Sequence, residues 1–564
     1  MKKILALVLA LALVMMVGGA ALAADKIAST VVTVSGLTKN DEATFYKIIE
    51  WVGDAEGNVA GWKATETFAE VLTENVLKAV LVGTPASEGV EAVEPTGITP
   101  ALANQLAKKI TTSTTGTKVT VTESSASITT EDPGTWMVLV KPADVNTVYN
   151  PIFVSADFTG AKGHDVSTGY GDSTAKKSTL KLEKTAENKD DYTPDHADTT
   201  AVGDIITYTV KATIPAYGAV YTNPHYALKD TLTDLKLVAN SIEVTGGPTE
   251  DDYSVSATDA GYTILFNADY LKTITTATEI TVTYKAEVTS SAEKAINEES
   301  NDVMIEYSHD PSNESDYDVK KDTTQHYTFT IDAKDLGDGS SQTGRKTSEV
   351  VKIGQNADGT PILNKTEKSE IDPEQTWTSP LKDAEFGLWK NTDSKCEGTP
   401  YKTATTGEDG RMTFSGLDAG TYYLKEIQAP AGFVTSTEIH TVVIHAELET
   451  KTITEYWNGS TWVSSDPTGT LKSATYETKV LKEYKVTIDG DTVADYTFKN
   501  TSSNTNEIQW TDLGEIELPC QLINVKGTEL PHTGGIGTTI FYILGGLLVV
   551  GAVVILVARR KAQD

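Results

Sequence analysis

From residue 29 to about residue 526 the chain repeats one texture: short runs rich in Val, Thr, Ile and Tyr, separated by Gly, Asp, Asn and Pro. A strand repeats every two residues, so this texture predicts tandem β-sandwich modules rather than α/β units. In the first module the pattern predicts strands at 30–37, 44–52, 135–141 and 151–157. The segment Pro100-Ala-Leu-Ala-Asn-Gln-Leu-Ala-Lys-Lys-Ile110 has proline in its first turn, apolar residues at helical spacing and lysines in its last turn, which predicts a crossover helix covering the sheet. Residues 160–177 are Gly, Ser, Thr and Ala with little apolar content and predict a linker. A second set of strands is expected at 179–185, 205–214, 226–232, 262–266, 280–288 and 303–307. Polar, acidic residues 310–322 follow. The third module is expected to run from about 325 to 526, with strands at 350–353, 385–389, 421–427, 440–445 and 522–525. No exact repeat relates the modules.

The two ends read differently. Residues 536–558 are small or apolar apart from Thr538, Thr539 and Tyr542, and Arg559, Arg560 and Lys561 follow directly. About 20 such residues at ~1.5 Å rise span a bilayer's hydrocarbon, and the basic cluster is expected to stay cytoplasmic. At the other end Lys2 and Lys3 precede an apolar segment from 4 to 17, and Ala21-Leu22-Ala23 offers a signal-peptidase site, so the mature chain is expected to begin near Ala24. The expected organisation is a signal peptide over 1–23, an N-terminal domain and linker over 24–177, a middle β-sandwich over 178–322, a C-terminal β-sandwich over 323–529, and an anchor over 530–564 with its transmembrane helix at 538–558.

Composition narrows the partners. A net charge of −32 repels nucleic acid and anionic membrane surfaces, and fits a soluble exposed surface protein. Two cysteines, Cys396 and Cys520, are too few for a disulfide scaffold, although the exported compartment permits one bridge between them. Eight histidines are scattered singly, with no zinc spacing, nucleophile elbow or paired-His motif, so neither enzyme activity nor a metal or cofactor is expected. Asp165-Val-Ser-Thr-Gly169 has glycine where a metal-dependent adhesion motif needs serine.

Face arithmetic then exposes an oddity. In Thr179-Leu-Lys-Leu-Glu-Lys-Thr185, Lys184 shares a face with Leu180 and Leu182. In Asn301-Asp-Val-Met-Ile-Glu-Tyr307, Asn301 shares one with Val303, Ile305 and Tyr307. In Tyr226-Ala-Leu-Lys-Asp230, Asp230 joins Tyr226 and Leu228. Three polar groups on apolar faces of one module are costly unless bonded. Burial lowers a lysine pKa and raises a carboxyl pKa, so the pair can become a neutral amine and a protonated acid. Such an amine can attack an asparagine amide carbon while the acid polarises its oxygen, and loss of ammonia leaves an isopeptide bond. The same residues also fit an ordinary buried ion pair beside a hydrogen-bonded asparagine. A shifted register would substitute Lys181 for the amine, Asp234 for the acid, or Ser300 for Asn301.

Leu530-Pro531-His532-Thr533-Gly534 matches L-P-x-T-G and, with the apolar run and basic tail, resembles the cell-wall sorting signal of Gram-positive surface proteins. Asn301-Asp-Val-Met-Ile-Glu-Tyr-Ser-His-Asp-Pro311, preceded by Ile280-Thr-Val-Thr-Tyr-Lys-Ala286, resembles the closing strands of the middle domain of Gram-positive backbone pilins. Pro380-Leu-Lys-Asp-Ala-Glu-Phe-Gly-Leu-Trp389 and Tyr422-Tyr-Leu-Lys-Glu-Ile-Gln-Ala-Pro-Ala-Gly-Phe433 resemble the opening strand and E-box of a collagen-adhesin B-type, immunoglobulin-like pilin domain.

The resemblance implies a shaft subunit of a sortase-assembled pilus. Intramolecular crosslinks would join Lys184 to Asn301 with Asp230 as the promoting acid, and Lys352 to Asn524 with Glu426. Periodicity alone does not orient Lys352, whose strand is apolar on both faces, and Lys365 and Asn500 are alternatives. A sortase would cleave the Thr533–Gly534 bond. The family's acceptor lysine, commonly in Tyr-Pro-Lys-Asn, corresponds by position to Lys176 in Thr174-Ala-Lys-Lys-Ser178, with Lys177 second. The implied partners are pilin-specific and housekeeping sortases, further copies of the chain, minor pilins, peptidoglycan and host-surface ligands. A monomeric wall-anchored adhesin built from the same domains is the competing reading. The first module offers no comparable triple and is expected to lack a crosslink.

Overall fold

The computed structural model describes residues 27–52, 61–83, 92–157, 170–187, 193–289, 295–333, 350–360, 362–368, 376–378, 380–498, 510–513, 520–527 and 536–561. The expected signal peptide, the sorting pentapeptide Leu530–Gly534, Asn500 and the segment 165–169 lie outside them. The described chain is built of β-sandwiches in series, followed by one long helix.

In the first domain, strands Glu42–Trp51, Gly134–Lys141 and Ile152–Ala156 lie side by side in that order in one sheet, and Thr30–Ser35 pairs with Ser125–Thr130 in another. Alternation in Gly134–Lys141 sends Trp136 and Val138 into the core between the sheets, and Met137 to the opposite face. There it packs under the predicted helix, Pro100–Ala107, and under a second helix, Glu74–Leu81, that the pattern did not reveal. Thr99 caps the first of these by accepting a hydrogen bond from the Leu102 amide.

The described end of the expected linker, residues 170–177, is paired backbone. Ser173–Thr174 pairs in parallel with Val34 and Ser35, and Lys177–Thr179 pairs antiparallel with Thr147–Tyr149. Small polar residues suit this role because the segment lies on a surface edge and needs backbone pairing, not an apolar face.

In the middle domain one sheet carries Leu182–Glu187, Ile205–Ile214 and Thr278–Val288. The facing sheet carries Gly261–Phe266, Tyr226–Thr233, Ile296–Ser308 and Tyr317–Ile331. Tyrosines dominate the enclosed core: Tyr208, Tyr217, Tyr226, Tyr284 and Tyr307 are fully buried.

The strand Tyr317–Ile331 corrects the expected boundary at 322/323. It runs as one element through that point, pairing with Ile296–Ser308 in the middle domain and, near its end, with Phe414–Leu417 of the third. Its residues from Lys321 to Asp332 are all buried although most are polar, because one domain covers each side.

The third domain is a sheet in the order Lys402–Thr405, Glu385–Lys390, Gly420–Gln428, Ile439–Trp457, Lys472–Ile488, Asp491–Phe498 and Trp510–Leu513. Its opening strand Val350–Gln355 pairs in parallel with its closing strand Cys520–Val525. The hairpin Ile439–Trp457 with Lys472–Ile488 extends well beyond the expected strand at 440–445 and reaches back onto the middle domain. At its far end Lys321, itself buried, makes ion pairs with Asp302 at 2.9 Å and with Glu455 at 2.7 Å, and lies over the rings of Trp462 and Tyr476. Cys396 and Cys520 are both free thiols, so the permitted bridge is not formed in this structure.

Candidate functional site: two buried lysine centres and a wall anchor

The middle-domain centre forms where the two sheets face each other. Lys184 projects from the Leu182–Glu187 strand on the buried parity with Leu182 and Ala186. Asp230 and Asn301 project from the adjacent facing strands, whose register puts Leu232 opposite Asn301. All three side chains are buried. The Lys184 Nζ lies 2.5 Å from Asp230 Oδ2, 2.5 Å from Asn301 Oδ1 and 2.7 Å from the Tyr284 hydroxyl.

Burial pulls the Lys184 amine below its ordinary pKa, with Asp230 opposing that shift; burial likewise pushes the Asp230 carboxyl up against the opposing pull of Lys184. Both directions favour the neutral pair. The alternatives fall away on exposure: Lys181 and Asp234 face solvent.

The expected role of the acid needs one correction. Asp230 makes no hydrogen bond to the Asn301 amide; the Tyr284 hydroxyl stands between them, donating to Asp230 Oδ2 at 2.8 Å and accepting from Asn301 Nδ2 at 2.7 Å. Tyr284 was missed because its strand puts it on a face with Ile280, Val282 and Ala286, where a tyrosine looks like core. A bond here would leave the domain's last strand outside it, since Tyr317–Ile331 follows Asn301.

The third-domain centre is simpler. Lys352 is buried, with Nζ 3.2 Å from Glu426 Oε1 and over the Phe386 ring. Asn524 Nδ2 donates to Glu426 Oε2 at 2.7 Å and to the Val434 carbonyl at 2.8 Å. The parallel register sets Lys352 beside Leu522 and Gly354 beside Asn524, so amine and amide stand two residues apart on neighbouring strands. Burial lowers the Lys352 pKa, with Glu426 opposing. Glu426 also accepts from the Ser436 amide at 2.6 Å, which pins the carboxylate between the two partners. The side chain of Lys365 is outside the described residues. In the first domain no lysine is buried among the described residues, so no comparable triple forms there.

Lys176 is exposed and makes no side-chain polar contact among the described residues, while its carbonyl accepts from the Asn150 amide. Lys177 is engaged: its Nζ donates to Thr38 Oγ1 at 3.0 Å and lies over the Tyr149 ring. Beyond the third domain, Ile536–Lys561 is a helix whose stretch from Tyr542 to Lys561 is long and apolar enough to cross a membrane, ending in Arg559, Arg560 and Lys561.

Comparison with known proteins agrees at both ends of this description. Residues 368–457 match the model of a prealbumin-like fold domain, and residues 523–564 match that of the LPXTG cell-wall anchor motif. The trypsin-resistant surface T6 protein of Streptococcus pyogenes serotype M6 is 26% identical over 479 residues, which cover 76% of this chain and 79% of that one. The solved T6 backbone pilin of the same serotype, a modular three-domain structure, is 19% identical and aligns over 90% of this chain and all of its own, with a TM-score of 0.53.

Proposed function

We propose that this chain, a wall-anchored surface protein with the fold of a backbone pilin, is the shaft subunit of a covalent pilus. Its chemistry has two parts. A sortase cysteine attacks the Thr533–Gly534 peptide bond, and the threonyl group passes to the amine of Lys176 on the next subunit. The last subunit's Thr533 goes to an amine of peptidoglycan. Pilin-specific and housekeeping sortases, minor pilins and host ligands complete the reading. The helix from Ile536 holds the precursor at the membrane until the cut.

The second part is internal. In each centre the proton of the buried ammonium passes to the neighbouring carboxylate, and the neutral Nζ attacks the asparagine Cγ. Ammonia leaves and an amide joins Lys184 to Asn301, or Lys352 to Asn524. The protein needs no cofactor for this, because burial supplies both the nucleophile and the acid.

The observation that favours a shaft over a monomeric adhesin is Lys176. It is an exposed amine without a partner among the described residues, held by paired backbone at the junction of the first and middle domains. A sodium dodecyl sulfate gel of boiled cell-wall extract tests it. A high-mass ladder that vanishes in Lys176→Ala is expected, and a single wall-linked band from the wild type would leave the adhesin reading standing. For the internal bonds, intact mass should fall by about 17 Da for each ammonia lost.

A further inference from the structure

The two centres differ in how the acid meets the leaving amide. In the third domain Glu426 contacts Asn524 Nδ2 directly. In the middle domain Asp230 makes no such contact, and the Tyr284 hydroxyl occupies the position between acid, amine and amide. One donor and two acceptor sites are all a phenol has. Here all three are committed: it donates to Asp230 Oδ2 and accepts from Lys184 Nζ and Asn301 Nδ2.

We propose that Tyr284 is a catalytic residue of the Lys184–Asn301 bond, shuttling the proton that converts the amide nitrogen into ammonia. The inference rests on the crosslinking reading of this centre. Once the neutral Nζ has attacked Cγ, Nζ carries one proton too many and Nδ2 one too few to leave as ammonia. Direct transfer between them would need a strained four-membered ring. Once Asp230 is protonated and attack has freed the Nδ2 lone pair, the hydroxyl turns its proton from Oδ2 to Nδ2; lying 2.7 Å from each nitrogen, it takes a proton from Nζ while passing its own to Nδ2. The Nζ–Cγ bond forms, the Cγ–Nδ2 bond breaks, the oxyanion returns to a carbonyl, and ammonia departs. Asp230 ends as it stood at attack, protonated, and Tyr284 ends as the neutral phenol.

The surroundings support a working hydroxyl over a merely packed one. The Tyr284 ring is held against Tyr208, with centroids 5.2 Å apart and planes 16° from parallel, and edge-on to Tyr262 at 4.9 Å. Its oxygen is thereby fixed within a closed, water-excluding pocket. Burial and the nearby Asp230 raise the Tyr284 pKa well above its ordinary value, so the group stays a phenol that can both give and take a proton.

The test times both bonds in one molecule. The full-length chain is made by cell-free synthesis in detergent and sampled over minutes to hours. Peptides joining Lys184 to Asn301 and Lys352 to Asn524 are then counted by mass spectrometry. Tyr284→Phe should slow the first bond by roughly 10²-fold, the lower end of what a positioned proton donor contributes, and leave the second at its wild-type rate. Equal rates for the first bond in wild type and Tyr284→Phe overturn the proposal while leaving the crosslink intact. A wild-type chain that never joins Lys184 to Asn301 overturns the crosslink reading itself. If Tyr284→Phe loses both bonds, the variant has misfolded, and 3-fluorotyrosine at 284 decides. It keeps the shape and is a stronger acid, so a faster first bond supports the shuttle and an unchanged rate refutes it.

Discussion

Replacing Asn301 with alanine removes the amide while leaving Lys184 and Asp230 in place as a buried amine and acid, so it isolates what the bond contributes. The proposed bond would close a loop from residue 184 to residue 301, roughly 120 residues, which the chain-entropy model developed for disulfides values at about 5 kcal/mol. For a domain of this size each kcal/mol moves the melting point by about 2 to 4 °C. Asn301→Ala should therefore melt the middle domain roughly 10 to 20 °C lower. Differential scanning calorimetry on the full-length chain reads this, with intact mass as the check. The wild type should lie about 34 Da below its sequence mass and the variant about 17 Da below its own, one ammonia for each remaining bond. A melting point within about 3 °C of wild type, in a wild type that carries the bond, would show that the cross-tie adds no stability and would refute the loop-closure argument.

Three further outcomes follow from other parts of the molecule. Lys320 Nζ donates to Asn146 Oδ1 at 2.8 Å, and Asn146 Nδ2 donates to Asp144 Oδ1 at 2.7 Å, the same residue types as a crosslinking centre but with an exposed acid. Burial, not proximity, is held to drive the reaction, so no peptide should join Lys320 to Asn146; finding one would break that rule. Lys321→Ala leaves Asp302 and the mostly buried Glu455 without their shared cation and should cost about 2 kcal/mol, short of a fully buried pair because Asp302 is partly exposed. Faster protease cleavage within 455–475 would report this, and unchanged cleavage would contradict it. Glu306 is held down to about 2, first by His225 and then by Lys229, against an ordinary 4.5. Its folded pKa is depressed, so its contribution is full above pH 4.5 and disappears as pH falls towards 2. Partly screened by solvent, it should be worth about 1 to 2 kcal/mol. The urea midpoints of wild type and Glu306→Gln should therefore differ at pH 6 and converge by pH 2; a gap independent of pH would refute the assignment.

What could be read from the sequence followed the clarity of each segment's environment. Ile205–Ile214 was legible to the residue because one face is core and the other solvent. Tyr317–Ile331 was not, since a strand buried on both sides by two domains can be polar along its length and shows no alternation. The same physics divides the two centres. Lys184, Asp230 and Asn301 stood out as polar residues on apolar faces. Lys352 did not, because Val350, Val351 and Ile353 are buried along with it, and only family resemblance singled it out. Tyr284 gave no signal at all, being a residue type at home in either a core or a reaction centre.

On the proposed assembly, the position of the acceptor also accounts for which domains carry a centre. Tension from one subunit enters the next at Lys176 and leaves through Thr533, so the first domain, which lies wholly before Lys176, hangs beside the load and is not in it. It has no buried lysine among its described residues, while both domains that follow have one. Within the load path the bond at Lys184 and Asn301 carries force across the middle domain, and that at Lys352 and Asn524 carries it across the third, directly between paired opening and closing strands. Between the two bonded domains, the chain from Asn301 to Lys352 is spanned by neither bond. That interval contains Tyr317–Ile331, paired to the middle domain along its length and to the third near its end. The long hairpin reaches back to this strand, where Lys321 meets Glu455. On this path, force crosses from the middle domain to the third through non-covalent pairing on both sides of this strand, which gives the polar, doubly covered strand a mechanical role.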